Sequence, residues 1–249
     1  YNKADRGKNM LAELYHLHHQ THLEDIPFWL DLAEKYGDPI LELGCGTGRV
    51  SLPLLHQGFK VTGVDRDSEM LGILKNELES NDKFEYTEQD FTSLSLPKQF
   101  PLIIMPCNTY STLKDEDRKS VLEIVENQLE EKGTFAFSMP NPAWMVDLPS
   151  EGEPELEEIF VYPKSGNAVQ VSSAWTNDGN IIKVLWHYDQ MLPEGNVKRF
   201  TAETEHQLIA PSKYFDELEE YGFKINTYGD FDQTTYSPDS EYLIIVAEK

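Results

Sequence analysis

The feature that most constrains the fold of this chain is a regular alternation of short apolar runs with amphipathic helical patterns between residues 38 and 140. The first apolar run, residues 39–44, ends in glycine, and residues 50–56 have the pattern of the helix that follows it. Further strands are predicted at residues 59–65, 84–86, 101–106 and 134–139. Strand, helix and strand at this spacing predict a parallel sheet with helices on both faces.

The pattern changes after residue 140. Residues 147–158 are acidic and interrupted by proline and glycine, which predicts a linker or a mobile lid. Three alternating apolar runs then predict an antiparallel meander within residues 155–210. Strands predicted at residues 223–228 and 242–247 return the chain to the α/β fold.

A glycine-rich segment, Glu42-Leu43-Gly44-Cys45-Gly46-Thr47-Gly48, lies between the first predicted strand and its helix. In such sheets ligands bind at the carboxyl ends of the strands, where glycines let the backbone pass close to them. The dinucleotide fingerprint would be G-x-G-x-x-G, whereas this chain has G-x-G-x-G followed by Arg49. Asp65 ends the second predicted strand and can accept both hydroxyls of a ribose. Asp90 and Phe91 follow the third and can offer a carboxylate and a ring to an adenine.

Together, the segments ILELGCGTGR, VTGVD and EQDF resemble the class I S-adenosylmethionine-dependent methyltransferases. The resemblance implies an α/β fold with a doubly wound, seven-stranded, mostly parallel sheet of the Rossmann-like methyltransferase type. The antiparallel meander would be inserted into it, and the last strand of the large sheet would be antiparallel. We expect an N-terminal helical cap at residues 1–36, a cofactor domain at residues 37–140 and 211–249, and a lid or substrate subdomain at residues 141–210.

The same resemblance implies S-adenosylmethionine as cofactor and S-adenosylhomocysteine as product. Three glycines would line the methionine and ribose part, Asp65 would hold the ribose hydroxyls, and Asp90 would bond the adenine amino group. Tyr15 would lie against the cofactor carboxylate, or would only pack its helix. The residues expected at the cofactor are Tyr15, Gly44, Cys45, Gly46, Gly48, Asp65, Arg66, Met70, Asp90, Phe91, Cys107 and Asn108.

Histidines supply the candidate general bases, because neutral imidazole titrates near physiological pH. His187 and His206 are the two candidates, although each is also an ordinary strand residue. A cluster near the N-terminus resembles a metal site, with His18 and His22 at i and i+4. No third ligand of obvious spacing follows, so no metal is predicted.

Charge and composition restrict the classes of molecule that can accept the methyl group. The chain has 21 Lys and Arg residues against 44 Asp and Glu residues, a formal charge of −23. Nucleic acids and anionic membranes need a basic surface, so neither is expected as a partner. The segment Met105-Pro106-Cys107-Asn108-Thr109-Tyr110 also departs from the D/N-P-P-Y/F motif of DNA amino-methyltransferases. The two cysteines have no metal spacing, which favours the reducing cytoplasm.

The predicted function is transfer of a methyl group from S-adenosylmethionine to N or O of a small molecule, by a monomer or homodimer. The N-terminal helices, the segment EDIPFW and the meander resemble small-molecule methyltransferases. The alternatives are an NAD-dependent oxidoreductase, a non-catalytic cofactor-binding or interaction protein, and a protein methyltransferase. Binding of NAD would indicate the oxidoreductase. Cofactor binding without turnover would indicate the non-catalytic protein, and an extended groove would indicate the protein methyltransferase.

Overall fold

The structure is a computed structural model that describes residues 3–78 and 83–249. The helices are α1 (Lys3–His19), α2 (Ile26–Tyr36), α3 (Ser51–His56), α4 (Ser68–Glu77), α5 (Asp115–Gln128), α6 (Pro142–Met145) and α7 (Pro211–Glu220). The strands are β1 (Ile40–Leu43), β2 (Val61–Asp65), β3 (Phe84–Glu88), β4 (Phe100–Met105), β5 (Leu129–Pro140), β6 (Glu155–Val161), β7 (Ala168–Asn177), β8 (Ile181–Met191), β9 (Val197–Gln207), β10 (Lys224–Tyr228) and β11 (Tyr242–Glu248). None of the described helices is long and apolar enough to cross a membrane.

The larger sheet has seven strands in the order β10-β11-β5-β4-β1-β2-β3. β1 pairs in parallel with β2 on one side and with β4 on the other, whereas β11 runs antiparallel to β5. The predicted fold class, including the antiparallel last strand, is therefore confirmed. Because the chain order reverses between β1 and β4, a crevice opens at the carboxyl ends of these two strands, where ligands of such sheets bind.

Helices cover both faces of the large sheet, which explains why its central strands are predominantly apolar. All four residues of β1 are buried. One core packs α5 and α7 on the sheet through residues such as Val121, Leu122 and Leu218. The other core packs α2, α3 and α4 on the opposite face, with Trp29 and Leu74 among its members. Burial on both faces is the reason that these strands show no alternation of polar and apolar residues.

The smaller sheet is antiparallel, with the order β6-β7-β8-β9, and α1 packs on one face of it. Leu14 of α1 lies in a core with Val171, Tyr188 and Phe200. The meander predicted from sequence is β7, β8 and β9. The structure adds β6, so the end of the segment predicted as linker or lid is a strand. The acidic composition of this segment obscures the strand pattern, in which inward side chains alternate with exposed apolar side chains.

Local details of the large sheet differ from the sequence prediction at β5. This strand was expected from residue 134, but it begins at Leu129, which pairs with Phe100 before an irregularity in the register. Leu129 is fully buried and already has an extended backbone, with φ −77° and ψ +140°, so the helix before it ends at Gln128. At the start of α4, the Asp67 carboxylate accepts from the amides of Glu69 and Met70 and so caps the helix.

Candidate functional site

The glycine-rich segment connects β1 to α3 at the carboxyl edge of the large sheet. Gly44, Gly46 and Gly48 have φ angles of +78°, +52° and +87°, a region that strains residues carrying a Cβ. Gly44 and Gly46 line a cavity of about 410 Å³. Gly48 lies beneath the segment, where an added Cβ would overlap the side chain of Leu74. The first two glycines therefore keep the cavity open, and the third lets α4 pack closely against the loop.

Asp65, at the end of β2, is hydrogen-bonded to the glycine segment. Its Oδ2 accepts from the amide of Gly46 at 2.8 Å, and its Oδ1 accepts from the amide of Asp67 at 2.8 Å. The half-buried carboxylate also lines the 410 Å³ cavity. It can therefore hold the loop in position and still present oxygen atoms to a ligand with paired hydroxyl groups.

Asp90 follows β3 and lies on the wall of the same cavity. Its Oδ1 accepts from the amide and the hydroxyl of Thr92 at 2.9 and 2.7 Å, and its Oδ2 is 3.7 Å from the Arg66 guanidinium. The Thr92 hydrogen bonds and, to a smaller extent, Arg66 lower the pKa of Asp90, so it is ionised at neutral pH. Met70 and Phe91 supply apolar surface beside it.

The carboxyl end of β4 is held in an uncommon backbone conformation. Cys107 and Asn108 have φ angles of +59° and +61°, and two consecutive left-handed residues that are not glycine store strain. The turn that follows compensates, because the Ser111 hydroxyl donates to the carbonyl oxygen of Asn108 at 2.7 Å. The Thr109 hydroxyl donates likewise to the Pro106 carbonyl at 3.0 Å. This geometry places Cys107 on the wall of the cavity.

A second cavity of about 510 Å³ adjoins the first. Tyr15, His19, Arg49 and Cys107 line both, so these side chains form the boundary between them. The rest of the second wall comes from the segment after α1, from the end of β5 and from the loop before β11. Three exposed carboxylates are among these residues, namely Glu24, Asp230 and Glu241.

Arg49 and Asp25 form a largely buried ion pair at this boundary. The two guanidinium nitrogens of Arg49 donate to the two carboxylate oxygens of Asp25 at 2.6 and 2.7 Å. Arg49 also donates to the carbonyl oxygen of His22 at 2.7 Å and lies 2.9 Å from the Cys107 sulfur. Trp29 donates to Asp25 at 2.8 Å. The pair therefore joins the N-terminal segment to the glycine loop and to the end of β4.

Three further ionisable groups near the cavities are held in their neutral forms. Burial raises the pKa of Glu42 to about 8, although the Ser51 hydroxyl donates to its carboxyl group and opposes the shift. Burial also raises the pKa of Tyr15, which therefore stays a hydroxyl donor. Burial, with His18, His22 and Arg49 nearby, lowers the pKa of His19 to about 3. His19 is thus a neutral imidazole at physiological pH.

Neither of the two histidines predicted as candidate general bases lines either of these cavities, as far as the described residues show. His187 lies on β8 and is within 2.9 Å of the Thr201 hydroxyl. His206 is buried and lies 2.8 Å from the Ser111 hydroxyl, and burial lowers its pKa to about 4. His206 therefore contacts the turn after β4 through Ser111, outside the two cavities.

Most of the residues that the family resemblance assigns to the cofactor meet at one cavity. Asn108 lies on the second cavity, and Gly48 packs below the loop. Sequence reasoning missed Arg49 and Asp25 as partners. The only signal was an arginine directly after the glycines and an aspartate within EDIPFW, with no spacing that relates them. The first cavity is lined by Tyr15, Gly44, Cys45, Gly46, Asp65, Arg66, Met70, Asp90, Phe91 and Cys107.

Comparison with known proteins agrees with this geometry. Residues 40–133 match the model of a methyltransferase domain. The chain is 26% identical over 229 residues to a putative methyltransferase, YqeM, of Bacillus subtilis, covering 89% of this chain and 88% of that protein. It is 26% identical over 243 residues to a glycine/sarcosine N-methyltransferase of Aphanothece halophytica, covering 95% and 86%.

Solved structures show the same fold. An S-adenosylmethionine-dependent methyltransferase from Clostridium acetobutylicum superposes with a TM-score of 0.77 at 18% identity, covering 90% of each chain. CalS10, an amino pentose methyltransferase from Micromonospora echinaspora solved with S-adenosylmethionine bound, superposes with a TM-score of 0.72 at 15% identity, covering 94% of this chain and 95% of that one.

Sheet topology, glycine segment and domain match together define a class I methyltransferase. The matched domain, the relatives and the solved structures support an S-adenosylmethionine-dependent methyltransferase, with S-adenosylmethionine as its cofactor. The predicted family, enzyme class and cofactor are confirmed, in preference to the NAD-dependent alternative.

Proposed function

We propose that this enzyme transfers the methyl group of S-adenosylmethionine to the nitrogen of a small amine held in the second cavity. One observation carries the proposal: the cofactor-sized cavity and the second cavity share the wall formed by Tyr15, His19, Arg49 and Cys107. Methyl transfer is an in-line displacement, so acceptor and sulfur must lie on opposite sides of the methyl carbon. Two adjoining cavities with a common boundary provide that arrangement.

The first cavity fits the cofactor in size and in its donor set. Its volume of about 410 Å³ is within the range of small-ligand sites. Gly44 and Gly46 present backbone without side chains, Asp65 would accept from the ribose hydroxyls, and Asp90 from the adenine amino group. When bound, the sulfonium of S-adenosylmethionine supplies an activated methyl group. The protein therefore has to align the acceptor and exclude water rather than activate a leaving group.

The charge of the second cavity favours a cationic acceptor. The guanidinium of Arg49 is neutralised by Asp25, which leaves the exposed carboxylates Glu24, Asp230 and Glu241 to set the sign of the wall. A negative rim attracts an ammonium group and disfavours an anionic acceptor. The names of two relatives agree with an amine, since one is a glycine/sarcosine N-methyltransferase and the other an amino pentose methyltransferase.

The amine must be neutral when it attacks. Its ammonium form can release a proton to solvent at the rim, where the carboxylates are exposed. His19 lies at the boundary and stays neutral, so a ring nitrogen can accept a hydrogen bond from the amine N–H and orient its lone pair. Tyr15, a neutral hydroxyl, covers the same boundary from α1 and limits access of water.

We also propose that the enzyme acts in the cytoplasm, as a monomer or homodimer, and not on nucleic acid. The net charge of −23 supports a small acceptor over a polyanion. Cys45 and Cys107 are both free thiols, which supports a reducing compartment.

The test is a methyl-transfer assay with S-adenosylmethionine and pairs of acceptors that differ only in carrying an amine or a hydroxyl. The pairs cover amino acids, amino sugars and alkyl amines. We expect S-adenosylhomocysteine and a methylated product only with amines, detected by mass spectrometry. Methylation of the hydroxyl partner instead would replace the proposal with O-methylation. Cofactor binding without turnover across the panel would favour a non-catalytic cofactor-binding protein.

A further inference from the structure

A polar cluster outside the cofactor cavity lies where the end of α1 meets the smaller sheet. One metal-ligating atom from each of His18, His22 and Glu158 lies within 4.8 Å of the other two. His18 belongs to the last turn of α1, His22 lies just beyond it, and Glu158 comes from β6. The sequence shows the histidine pair, but the third ligand becomes visible only when β6 packs against α1.

Glu158 is aimed at this cluster by an irregularity in its strand. The pairing register between β6 and β7 shifts between Leu156 and Glu158, and such bulges redirect side chains. The neighbouring carboxylate of Glu157 accepts a hydrogen bond from the Ser173 hydroxyl. The Oε2 atom of Glu158, in contrast, is shielded from solvent and has no hydrogen-bond partner among the described residues. A buried carboxylate oxygen without a partner is costly, and a cation would remove the cost.

The ring of His18 is supported as a metal-binding imidazole usually is. The Nδ1 atom of His18 lies 3.2 Å from the Tyr188 hydroxyl, which fixes the orientation of the ring. A metal-binding imidazole is commonly supported by a hydrogen bond at the ring nitrogen that does not bind the metal. Here that nitrogen is Nδ1, which leaves Nε2 for the cation.

We propose that His18, His22 and Glu158 bind a divalent transition cation of the zinc type, which ties the end of α1 to β6. Two imidazoles and one carboxylate suit Zn²⁺, whereas Mg²⁺ and Ca²⁺ prefer oxygen ligands alone. Three protein ligands leave one coordination position for water or another ligand. Because His22 also lines the second cavity, the cation holds part of the acceptor wall in place. Cation binding is measured without methyl transfer, so the proposal stands or falls separately from the proposed function.

The test uses the full chain without an affinity tag, stripped with a chelator and titrated with ZnCl₂ by calorimetry. We expect one equivalent of Zn²⁺ to bind. His22→Ala and Glu158→Gln should each weaken binding by at least about tenfold, because each removes one ligand. The matched controls are His16→Ala on the same helix and Glu155→Gln on the same strand, and both should bind Zn²⁺ as the wild type does.

Binding of S-adenosylhomocysteine and the circular dichroism spectrum report whether each variant is folded. Co²⁺ in place of Zn²⁺ should give visible absorption bands typical of a four-coordinate site, and Glu158→Gln should abolish them. The proposal is overturned if the wild type retains no zinc, if the ligand variants and the controls bind equally, or if Mg²⁺ binds in preference to Zn²⁺.

Discussion

Glu42 offers a quantitative test of how the site is built. Its side chain is buried under the glycine segment with 1% of its surface exposed, and the only hydroxyl that donates to it among the described residues is that of Ser51. Burial raises its pKa from the ordinary value of 4.5 to about 8. The folded protein therefore keeps a proton on Glu42 across a pH range in which the unfolded chain releases it.

The sign and size of the effect follow from linkage. A proton held by the folded state and lost by the unfolded state makes stability fall as pH rises from 4.5 towards 8. One pKa unit corresponds to about 1.4 kcal/mol. Between about pH 5 and about pH 8, the proton that only the folded state retains on Glu42 should therefore cost the wild type roughly 3 kcal/mol of unfolding free energy. Glu42→Gln keeps the shape of the side chain and removes this cost.

The assay is urea unfolding of the wild type and of Glu42→Gln at several pH values. We expect the variant to gain stability relative to the wild type as pH rises, with most of the gain between about pH 5 and about pH 8. Glu88→Gln, which removes an exposed carboxyl group at the end of β3, serves as the control. A stability difference for Glu42→Gln that does not change with pH would refute the reasoning.

Three further predictions concern the glycine segment, the ion pair and the histidine on β8. Gly48→Ala should lower the free energy of unfolding in urea by about 1–3 kcal/mol, because φ is positive at this position and the added Cβ overlaps Leu74. Gly72→Ala is the control, since its added Cβ meets no atom within 4 Å. Equal stability of the two variants would contradict this prediction. Arg49→Met should cost about 3 kcal/mol, since it leaves Asp25 buried and unpaired. Adding Asp25→Asn should recover part of that loss, and simple additivity in the double variant would argue against a coupled pair. His187→Ala should leave kcat/KM for an amine within about threefold of wild type, and a loss of about a hundredfold or more would place this histidine in the mechanism.

Much of the fold is predictable because its signals are local. Buried strands, helix patterns and the glycine segment follow one another within 38–140, and the topology rules for α/β sheets then fix the parallel arrangement. The strand β6 escaped prediction for a physical reason. Only one of its faces packs against α1, and its outward positions carry Leu156, Ile159 and Val161, which are exposed. Apolar residues point outward and Glu158 points inward, which reverses the usual pattern.

The site was less predictable wherever it depends on distant segments. Apart from Tyr15, the residues predicted to bind the cofactor follow consecutive strands, so their positions come from the sheet itself. The Arg49–Asp25 pair and the cluster of His18, His22 and Glu158 each join elements that are far apart in sequence. No spacing rule relates such residues, and only tertiary packing brings their charges and ligand atoms together. The strained backbone at Cys107 is likewise visible only in the structure.

The most direct test of the methyltransferase site is thermal unfolding of the wild type and of Asp65→Ala with S-adenosylmethionine, S-adenosylhomocysteine and NAD in parallel. A ligand at about 100 times its Kd adds ~2.7 kcal/mol of stability, which for a chain of this size is roughly 5–10 °C in Tm. We expect this shift for the wild type with both sulfur cofactors, a much smaller one for Asp65→Ala, and none with NAD. A shift with NAD alone, or equal shifts for both proteins, would contradict the assignment of the cavity at Asp65 to S-adenosylmethionine.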